Sequence, residues 1–418
     1  MKEVFLVGTY STQFKKWPDQ SFKDLTRDAY LGVLADAGLE NGRDIELAWF
    51  GNCGMAAWGQ GNIRGQVCFI PLVREGLFPE RAPIINVEGA CATSSMAFHG
   101  AWKDILSGQS GLSLAIGVEK IYNPDIEYLQ MFKAFQQGID NFDPQEWLAV
   151  YQATAEECGK EFLSEIATHT VFMETYAIQA CHHMKKYGTT QRQIAVAASK
   201  NHYHGSLNPK AQYQFEVSVE AVLADRLVSY PLTRSMCAPI SDGAAAALLC
   251  SADYLKILPA KVRDRAVKVR ASVLTGGKYR RLEEPSLSKV AADRAYALAG
   301  LGPKQVDLAE VHDATSFCEI YQAEMLGFCP VGQGGPFIES GATKLGGEIP
   351  INTSGGLVSK GHPVAATGLS MIYELAAQLR GEAGPRQVRN ATVGLQENAG
   401  GLMGLEEAAC SVIILQKD

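Results

Sequence analysis

Two parts of this sequence repeat the same succession of helical and apolar segments at nearly the same separation. In each half, a helical pattern ending in Gly-Leu precedes a short apolar segment, and a reactive residue later opens a second helical pattern. Leu308 follows Leu47 by 261 residues, and His362 follows Cys91 by 271 residues. Such self-similarity indicates a duplicated αβ unit, although helix–strand pairs are common enough for a chance resemblance to stay open.

Strand and helix patterns alternate along both halves, which predicts an α/β protein whose sheet is largely parallel. The pattern changes over residues 122–205, where aromatic and charged residues mix, helical periodicity is present and no clear strand is visible. We interpret this part as an inserted helical region.

Composition excludes several classes of protein. The chain has 418 residues, of which 47% are hydrophobic and 20% charged, as in ordinary globular proteins. Its formal charge of −7 argues against a nucleic-acid-binding protein, and no apolar run is long enough for a membrane helix. Its ten cysteines include no C-x-x-C pair, so we expect reduced thiols in the cytoplasm, with no zinc ligands in this chain.

Cys91 lies in a segment that is typical of a nucleophile elbow. The apolar residues 84–87 predict a strand, Glu-Gly-Ala follows, and small residues after Cys91 open a helical pattern. A thiol at a helix start is expected to lose its proton easily, because exposed N–H groups and the helix dipole favour an anion. The alternative is that Cys91 is one buried apolar cysteine among ten.

Three later segments also place reactive groups between a strand and a helix or in a Gly-rich turn: residues 311–315, 354–368 and 394–401. In doubly wound folds such loops lie past the carboxyl ends of the strands, where ligands bind. Glycines there allow backbone N–H groups to approach a reacting oxygen.

Together these segments resemble the thiolase superfamily. The resemblance is carried by Glu-Gly-Ala-Cys at 88–91, Ser-Lys-Gly-His-Pro at 359–363 and Asn-Ala-Gly-Gly at 398–401, and His-Asp at 312–313 is similar to the branch of sterol carrier protein X and its bacterial and archaeal relatives. It covers nearly the whole chain.

The resemblance implies a thiolase fold: two similar βαβαβ-type halves packed as a layered α-β-α-β-α core with an inserted helical loop domain. We divide the chain into the first part of the N-terminal half (1–121), the inserted substrate-binding region (122–230), a return to the N-terminal half (231–260) and the C-terminal half (261–418).

The resemblance also implies roles for the reactive residues. Cys91 would take the acyl group as a thioester, and His362 would accept the thiol proton. His362 would also help to hold the thioester oxygen of the second substrate, together with His312 or a water that His312 positions. The N–H of Cys91 and one N–H from the turn 399–401 would form an oxyanion hole. His312 could instead be a satisfied core histidine.

Four residues, Ser354, Gly361, Gly400 and Gly401, are implied to contact the coenzyme A ester. Coenzyme A is a substrate in this reading, and the chemistry needs no metal or organic cofactor. Zinc would enter only through a separate companion subunit.

Glu397 occupies the position at which we expect the second base of the family, elsewhere a cysteine or a histidine. A carboxylate can serve as the α-carbon base only if desolvation raises its pKa toward neutrality. Glu397 is therefore either an altered general base or a sign that the reaction has been modified or lost.

We predict a thiolase-type acyl-CoA C-acyltransferase that cleaves 3-oxoacyl-CoA or runs the reverse Claisen condensation. The alternatives are a ketosynthase-like condensing enzyme and a non-catalytic or lipid-binding subunit of a thiolase complex. A two-subunit enzyme for a bulky substrate such as benzoylsuccinyl-CoA is a further possibility within the family. We expect a homodimer or higher oligomer, formed through the apolar segments 84–87 and 112–118, and a small zinc-ribbon/OB-fold companion protein.

Overall fold

The computed structural model describes residues 2–127, 130–131, 136–162 and 170–417. Its strands are β1 (Val4–Ser11), β2 (Leu47–Gly51), β3 (Ile84–Val87), β4 (Leu112–Glu119), β5 (Leu227–Ser229), β6 (Leu232–Thr233), β7 (Gly243–Ser251), β8 (Val267–Gly276), β9 (Leu308–Val311), β10 (Val393–Gly400) and β11 (Ala409–Gln416).

Helices lie between many of these strands. They are α1 (Phe22–Asp36), α2 (Arg64–Arg74), α3 (Thr93–Ser107), α4 (Pro144–Cys158), α5 (Val171–Tyr187), α6 (Gln191–Ser206), α7 (Val219–Ala224), α8 (Ala252–Ile257), α9 (Ala260–Arg265), α10 (Leu287–Ala299), α11 (Ser316–Met325), α12 (Gly334–Glu339), α13 (Gly356–Lys360) and α14 (Thr367–Leu379).

Nine strands of the described residues form one sheet, in the order β3-β2-β4-β7-β1-β8-β11-β10-β9. The two halves meet where Phe5 and Leu6 of β1 pair with Lys268 and Val267 of β8. Outward from this junction, equivalent strands follow one another in the same order in the two halves. In the second half these strands are β8, β11, β10 and β9, which correspond to β1, β7, β4 and β2 of the first half. The pairing of β2 with β3 in the first half has an equivalent in the second half, where Ala309 and Ile351 form a parallel bridge. The predicted duplication is confirmed.

The expectation of a largely parallel sheet is wrong. Only β2–β3, β2–β4 and β9–β10 are parallel pairs, and the other five neighbouring pairs are antiparallel. The reason is the last strand of each half, since β7 and β11 run opposite to their neighbours on both sides. β11 follows β10 through the loop 401–408 and needs no helical crossover.

The helices complete five layers. Helices α1 and α2 cover the outer face of the first half-sheet, and α10 and α11 pack at the outer face of the second. Helices α3 and α14 lie between the half-sheets and share one apolar core with strands of both. The predicted α-β-α-β-α layering is therefore confirmed, and the N-terminal ends of the two central helices come together in the middle of the molecule.

The region predicted as a helical insertion contains α4 to α7 and a small antiparallel pair, β5 and β6. Helices α5 and α6 pack against α11 through a core that includes Tyr176, Ile194 and Phe317. Parts of this region, residues 128–129, 132–135 and 163–169, lie outside the described residues, and the domain boundaries stay a prediction. Within the described ranges, no helix is both long and apolar enough to cross a bilayer.

Candidate active site

Cys91 follows a strained turn between β3 and α3. Ala90 has a φ of 49°, a left-handed conformation that is uncommon for a residue with a side chain. The turn is fixed by Thr93, whose hydroxyl donates to Ala90 O (2.6 Å) and accepts from the Gly89 N–H (2.9 Å). These bonds hold Cys91 in front of α3 with its thiol in the wall of a large cavity.

His362 takes the equivalent place in the second half. Gly361 has a φ of 108°, so the residue before each reactive side chain is left-handed, and α14 begins shortly after His362. Because α3 and α14 pack side by side, the Cys91 Sγ and the His362 Nε2 lie 3.0 Å apart. The duplication thus brings together two residues that are 271 positions apart in the chain.

Neighbouring hydroxyl groups fix the orientation of the imidazole. The Thr367 hydroxyl donates to Pro363 O (3.1 Å), so it accepts the hydrogen bond from His362 Nδ1 (2.7 Å). The proton of the neutral ring is then on Nδ1, and Nε2 presents its lone pair to the thiol. The Ser241 hydroxyl accepts from the His362 backbone N–H (2.9 Å) and holds the main chain.

Burial keeps both members of this pair neutral in the resting site. Desolvation raises the pKa of the Cys91 thiol far above its ordinary value, and the nearby Cys53 and Glu407 act in the same direction. Desolvation also lowers the pKa of His362 well below its ordinary value. The expectation of an easily deprotonated Cys91 is therefore wrong, because the cost of burying a thiolate exceeds the benefit of the helix start. His362 Nε2 is the nitrogen placed to accept the proton of the Cys91 thiol.

His312 lies beside this pair with one nitrogen free. The Cys91 Sγ, one ring nitrogen of His312 and one ring nitrogen of His362 all lie within 4.8 Å of one another. The two imidazole centroids are 5.5 Å apart. His312 is 1% exposed, and its Nε2 has no hydrogen-bond partner among the described residues. Burial lowers its pKa to about 4. His312 does not itself line the cavity, but its ring lies against the reactive pair, and a neutral imidazole with a free nitrogen can bind an oxygen that develops negative charge there.

Residues of β10 approach the Cys91 elbow from the opposite side. Asn398 Nδ2 donates to Cys91 O (2.8 Å) and to Ser95 Oγ (2.9 Å). A Cβ on Gly400 would lie 2.4 Å from Cys91 N, so only glycine allows the two main chains to come this close. The predicted oxyanion turn is thus adjacent to the Cys91 amide.

Glu397 points to the other face of β10. Its carboxylate accepts hydrogen bonds from the Ser288 hydroxyl (3.0 Å) and the His312 backbone N–H (3.1 Å), and the Cys410 thiol is 3.4 Å away. Burial raises the pKa of Glu397 to about 7, as predicted for a base. However, strand alternation turns Glu397 away from Cys91 and turns Asn398 toward it, and Glu397 is not among the residues that line the cavity.

Of the four residues expected to contact coenzyme A, the cavity wall includes none. Ser354 is fully buried, and its N–H and hydroxyl both donate to the carboxylate of Glu310. A Cβ on Gly361 would lie 2.6 Å from the Ser241 hydroxyl oxygen, Gly400 approaches the Cys91 main chain, and Gly401 turns the chain after β10 with a φ of 69°. The structure thus places these residues as supports of the site.

The cavity beside Cys91 has a volume of about 710 Å³. One part of its wall comes from the inserted region and the residues just after it, and includes Arg226, Arg234 and the half-exposed ring of Phe215. Another part comes from Cys53, which follows β2, and from Arg64 at the start of α2. The cavity is large enough for an extended ligand.

Sequence reasoning missed the groups that hold the reactive pair. Thr367 and Asn398 did not attract attention, although Asn398 was part of a motif that carried the family resemblance. A period-two reading of β10 would have identified Asn398, because residues 396 and 398 share the face that packs on α3. Thr367 gave no signal, since a threonine near a helix start is common.

Two family descriptions match the chain. Residues 4–253 match "Thiolase, N-terminal domain" and residues 281–416 match "Thiolase C-terminal domain-like". Together they cover both halves of the duplicated fold.

Curated relatives match over most of their length. An acetyl-CoA acetyltransferase from Methanothermobacter thermautotrophicus is 36% identical over 97% of this chain and 98% of its own. Sterol carrier protein 2 from Bos taurus is 35% identical over 95% of this chain and 70% of its own. The benzoylsuccinyl-CoA thiolase subunit BbsB from Thauera aromatica is 30% identical over 93% of this chain and 91% of its own.

A solved structure, the Ltp2-ChsH2(DUF35) aldolase, has the same fold. It superposes with a TM-score of 0.76 at 21% identity and covers 100% of this chain and 98% of its own. The matches to both family domains and to full-length relatives agree with the paired Cys91 and His362 elbows. The chain therefore belongs to the thiolase family.

Proposed function

We propose that this thiolase-type acyltransferase cleaves a 3-oxoacyl-CoA, or runs the reverse Claisen condensation, through a thioester on Cys91. The observation that supports it most directly is the 3.0 Å contact between the thiol and a His362 nitrogen whose lone pair faces it. A nucleophile and a general base in this geometry are what acyl transfer requires.

The proposed first step forms the Cys91 Sγ–C bond at the 3-oxo carbon while His362 Nε2 takes the thiol proton. The bond between C2 and C3 then breaks as the carbonyl of the Cys91 thioester re-forms, its electron pair passes to C2 as an enolate, and C2 takes up the proton that His362 received from the thiol. A shorter acyl-CoA leaves. In the second step the thiol of free coenzyme A attacks the Cys91 thioester and restores the free thiol.

Two oxygens need stabilisation along this path. We assign the enolate oxygen to His362 and His312, and the tetrahedral oxyanion to the N–H of Cys91 with an N–H of the turn 399–401. This assignment fits the close approach of Gly400 to the Cys91 amide.

Glu397 is proposed to act on the reaction through His312. Its carboxylate binds the His312 N–H, so it sets the position of the loop that carries the imidazole. Direct proton transfer to C2, as expected from the sequence, would require the Glu397 carboxyl to reach a cavity whose wall it does not join.

The coenzyme A ester is a substrate, and we propose that it enters along the part of the cavity formed by the inserted region. Arg226 and Arg234 suit its phosphates, and the half-exposed Phe215 stacks with His202 (ring centroids 5.8 Å apart) and offers a surface for its adenine. Ser354, Gly361, Gly400 and Gly401 are proposed to shape the inner end of this path.

We also propose a homodimer or higher oligomer, and a companion subunit of the zinc-ribbon/OB-fold type. The edge strand β3 supports the first, and the relatives named as a subunit and as a complex with a DUF35 component support the second. The ten cysteines are free in the structure, which is compatible with the cytoplasm.

The test uses the purified protein with acetoacetyl-CoA, bulkier 3-oxoacyl-CoA esters and free coenzyme A. We expect cleavage of at least one ester and an acyl adduct visible by intact mass. Cys91→Ala should lose the adduct, whereas Cys53→Ala, which removes another thiol of the same cavity, should keep it. An adduct that survives Cys91→Ala would place the nucleophile elsewhere. Lack of any adduct or cleavage would favour a non-catalytic subunit.

A further inference from the structure

Arg64 is a buried cation without a carboxylate partner among the described residues. Three arginines in these ranges are less than a tenth exposed: Arg64 (9%), Arg280 (6%) and Arg386 (7%). Arg280 forms an ion pair with Glu406 (2.7 Å) and Arg386 one with Glu374 (2.9 Å). Arg64 donates only to the backbone oxygen of Asn52. A buried cation is costly unless it is paired, so Arg64 lacks a counterpart that the other two possess.

Arg64 belongs to the wall of the catalytic cavity. It is the first residue of α2, and the cavity is lined by Arg64, Cys53 and Cys91 together. Cys53 follows the Asn52 carbonyl that Arg64 binds, and its thiol lies 3.0 Å from the Thr93 hydroxyl of the Cys91 elbow. A short chain of contacts therefore connects the guanidinium to the reactive thiol.

The acidic residues of the same wall do not supply the missing anion. The Glu119 carboxylate accepts from Gly54 N (2.9 Å), Cys53 N (3.3 Å) and Asn52 Nδ2 (3.3 Å). It forms no ion pair with Arg64, and neither does the exposed Glu88. Most of the guanidinium N–H groups of Arg64 are thus available to a ligand in the cavity.

We infer that the acyl part of the substrate carries a carboxylate and that Arg64 binds it. This inference rests on the proposed thiolase function and names its substrate class, a 3-oxoacyl-CoA with a second acid group. A guanidinium matches a carboxylate with two parallel hydrogen bonds. In the proposed function the coenzyme A phosphates meet Arg226 and Arg234, which line another part of the wall, Arg234 being already paired with Asp225 (3.1 Å).

The test compares two esters that differ only in the acid. 3-Oxoadipyl-CoA carries a terminal carboxylate, and its terminal methyl ester is neutral at nearly the same length. We expect the purified protein to prefer the acid in kcat/KM. Arg64→Gln should reduce kcat/KM for the acid by about 30-fold or more, the usual cost of truncating one partner of a buried charge pair. The same variant should change kcat/KM for the methyl ester by no more than about threefold.

Two controls separate this role from a structural one. Arg64→Lys keeps a cation and should retain part of the preference for the acid. Arg234→Gln should lower kcat/KM equally for both esters, because it removes a proposed coenzyme A contact. An equal fall in kcat/KM for both esters in Arg64→Gln would overturn the inference. Arg64 would then have a structural role in holding the β2–α2 loop. Dissociation of the oligomer by Arg64→Gln in light scattering would overturn it too, since the counterion would then belong to a second subunit.

A binding measurement keeps the inference testable if no cleavage occurs. Calorimetric titration of Cys91→Ala with adipyl-CoA and its terminal methyl ester needs no turnover. Tighter binding of the acid that disappears in the Cys91→Ala, Arg64→Gln double variant would support the carboxylate site even if the thiolase reaction failed. Equal affinities would overturn the site while leaving the thiolase reaction intact.

Discussion

At the residue scale, the Thr367 hydroxyl decides which nitrogen of His362 carries the proton. It is fully buried, and its donor bond to Pro363 O leaves it only the acceptor role toward Nδ1. The lone pair that His362 presents to Cys91 therefore depends on a side chain that does not line the cavity.

Thr367→Val should keep the shape of the side chain and remove that acceptor. We expect acylation of Cys91 by an acyl-CoA to slow by about 10- to 100-fold, because the tautomer with a free Nε2 is no longer favoured. Thr367→Ser restores the hydroxyl and should recover the rate to within a few fold. Rapid-quench mass spectrometry measures the rate. Equal loss in both variants, at unchanged thermal stability, would contradict the tautomer argument.

Glu397→Gln distinguishes a positioning role from direct proton transfer. The amide oxygen can still accept the His312 N–H, so we expect acylation of Cys91 to stay intact and condensation to slow by less than about tenfold. Glu397→Leu removes the acceptor and should slow condensation further. A condensation rate that falls by two to four powers of ten in Glu397→Gln, with normal acylation, would instead identify Glu397 as the general base.

The same variant should change the pH dependence of stability. The pKa of Glu397 is about 7 in the folded protein and 4.5 without its surroundings, so the folded state retains a proton that the unfolded state loses. Stability therefore falls as pH rises from about 4.5 to 7 and then levels off. Glu397→Gln does not lose stability in this way. The difference in free energy of unfolding between Glu397→Gln and the parent protein should therefore shift in favour of the variant by up to about 3 kcal/mol as the pH rises across that range. A pH-independent difference in chemical denaturation would contradict the raised pKa.

Single residues also show where sequence reasoning ends. Cys91, His312 and His362 were predicted as one site, and the structure places them together; the prediction was possible because each lies in a recognisable motif. The protonation of Cys91 was predicted wrongly, since burial depends on the layers around the elbow. Glu397 was selected from its position in a motif, but its direction depends on strand alternation relative to helices of the other half.

At the scale of elements, β3 is an edge strand that pairs only with β2 among the described residues. Ile85 on this strand is 36% exposed, and an open apolar edge is a site for pairing with another chain. β4 was expected at the same interface, but this part of the prediction is wrong. It lies between β2 and β7 and is fully buried by its own chain.

Ile85→Lys should therefore weaken self-association. A charge on the edge opposes strand pairing, and we expect the mass measured by light scattering at micromolar concentration to fall toward that of one chain. Ile257→Lys is the control, because Ile257 is 74% exposed on α8, away from the edge. A monomeric parent protein would contradict the proposed dimer directly.

At the scale of the whole molecule, the five layers were predictable from the duplicated pattern and the family resemblance. The direction of the strands was not, because β11 follows β10 without a helical crossover and β7 follows β4 only after the inserted region, so neither belongs to a simple strand–helix alternation. The large cavity was not predictable either, since its wall combines the inserted region with the β2–α2 segment. Residues that meet only after the halves have packed leave no local signal.

A companion subunit would act on the assembled molecule. We expect co-expression with a zinc-ribbon/OB-fold partner to raise turnover or stability relative to the chain alone, with co-elution in gel filtration. The chain purified alone is the control. Full turnover of the chain alone with its natural substrate would show that no companion is required.

The two matched elbows have a consequence for what a symmetric assembly could not do. Two identical halves would present the same side chain from both central helices, either two thiols or two imidazoles. A nucleophile and its base have to be unlike groups. Because both halves belong to one chain, each of the equivalent places can carry its own residue, Cys91 in the first half and His362 in the second.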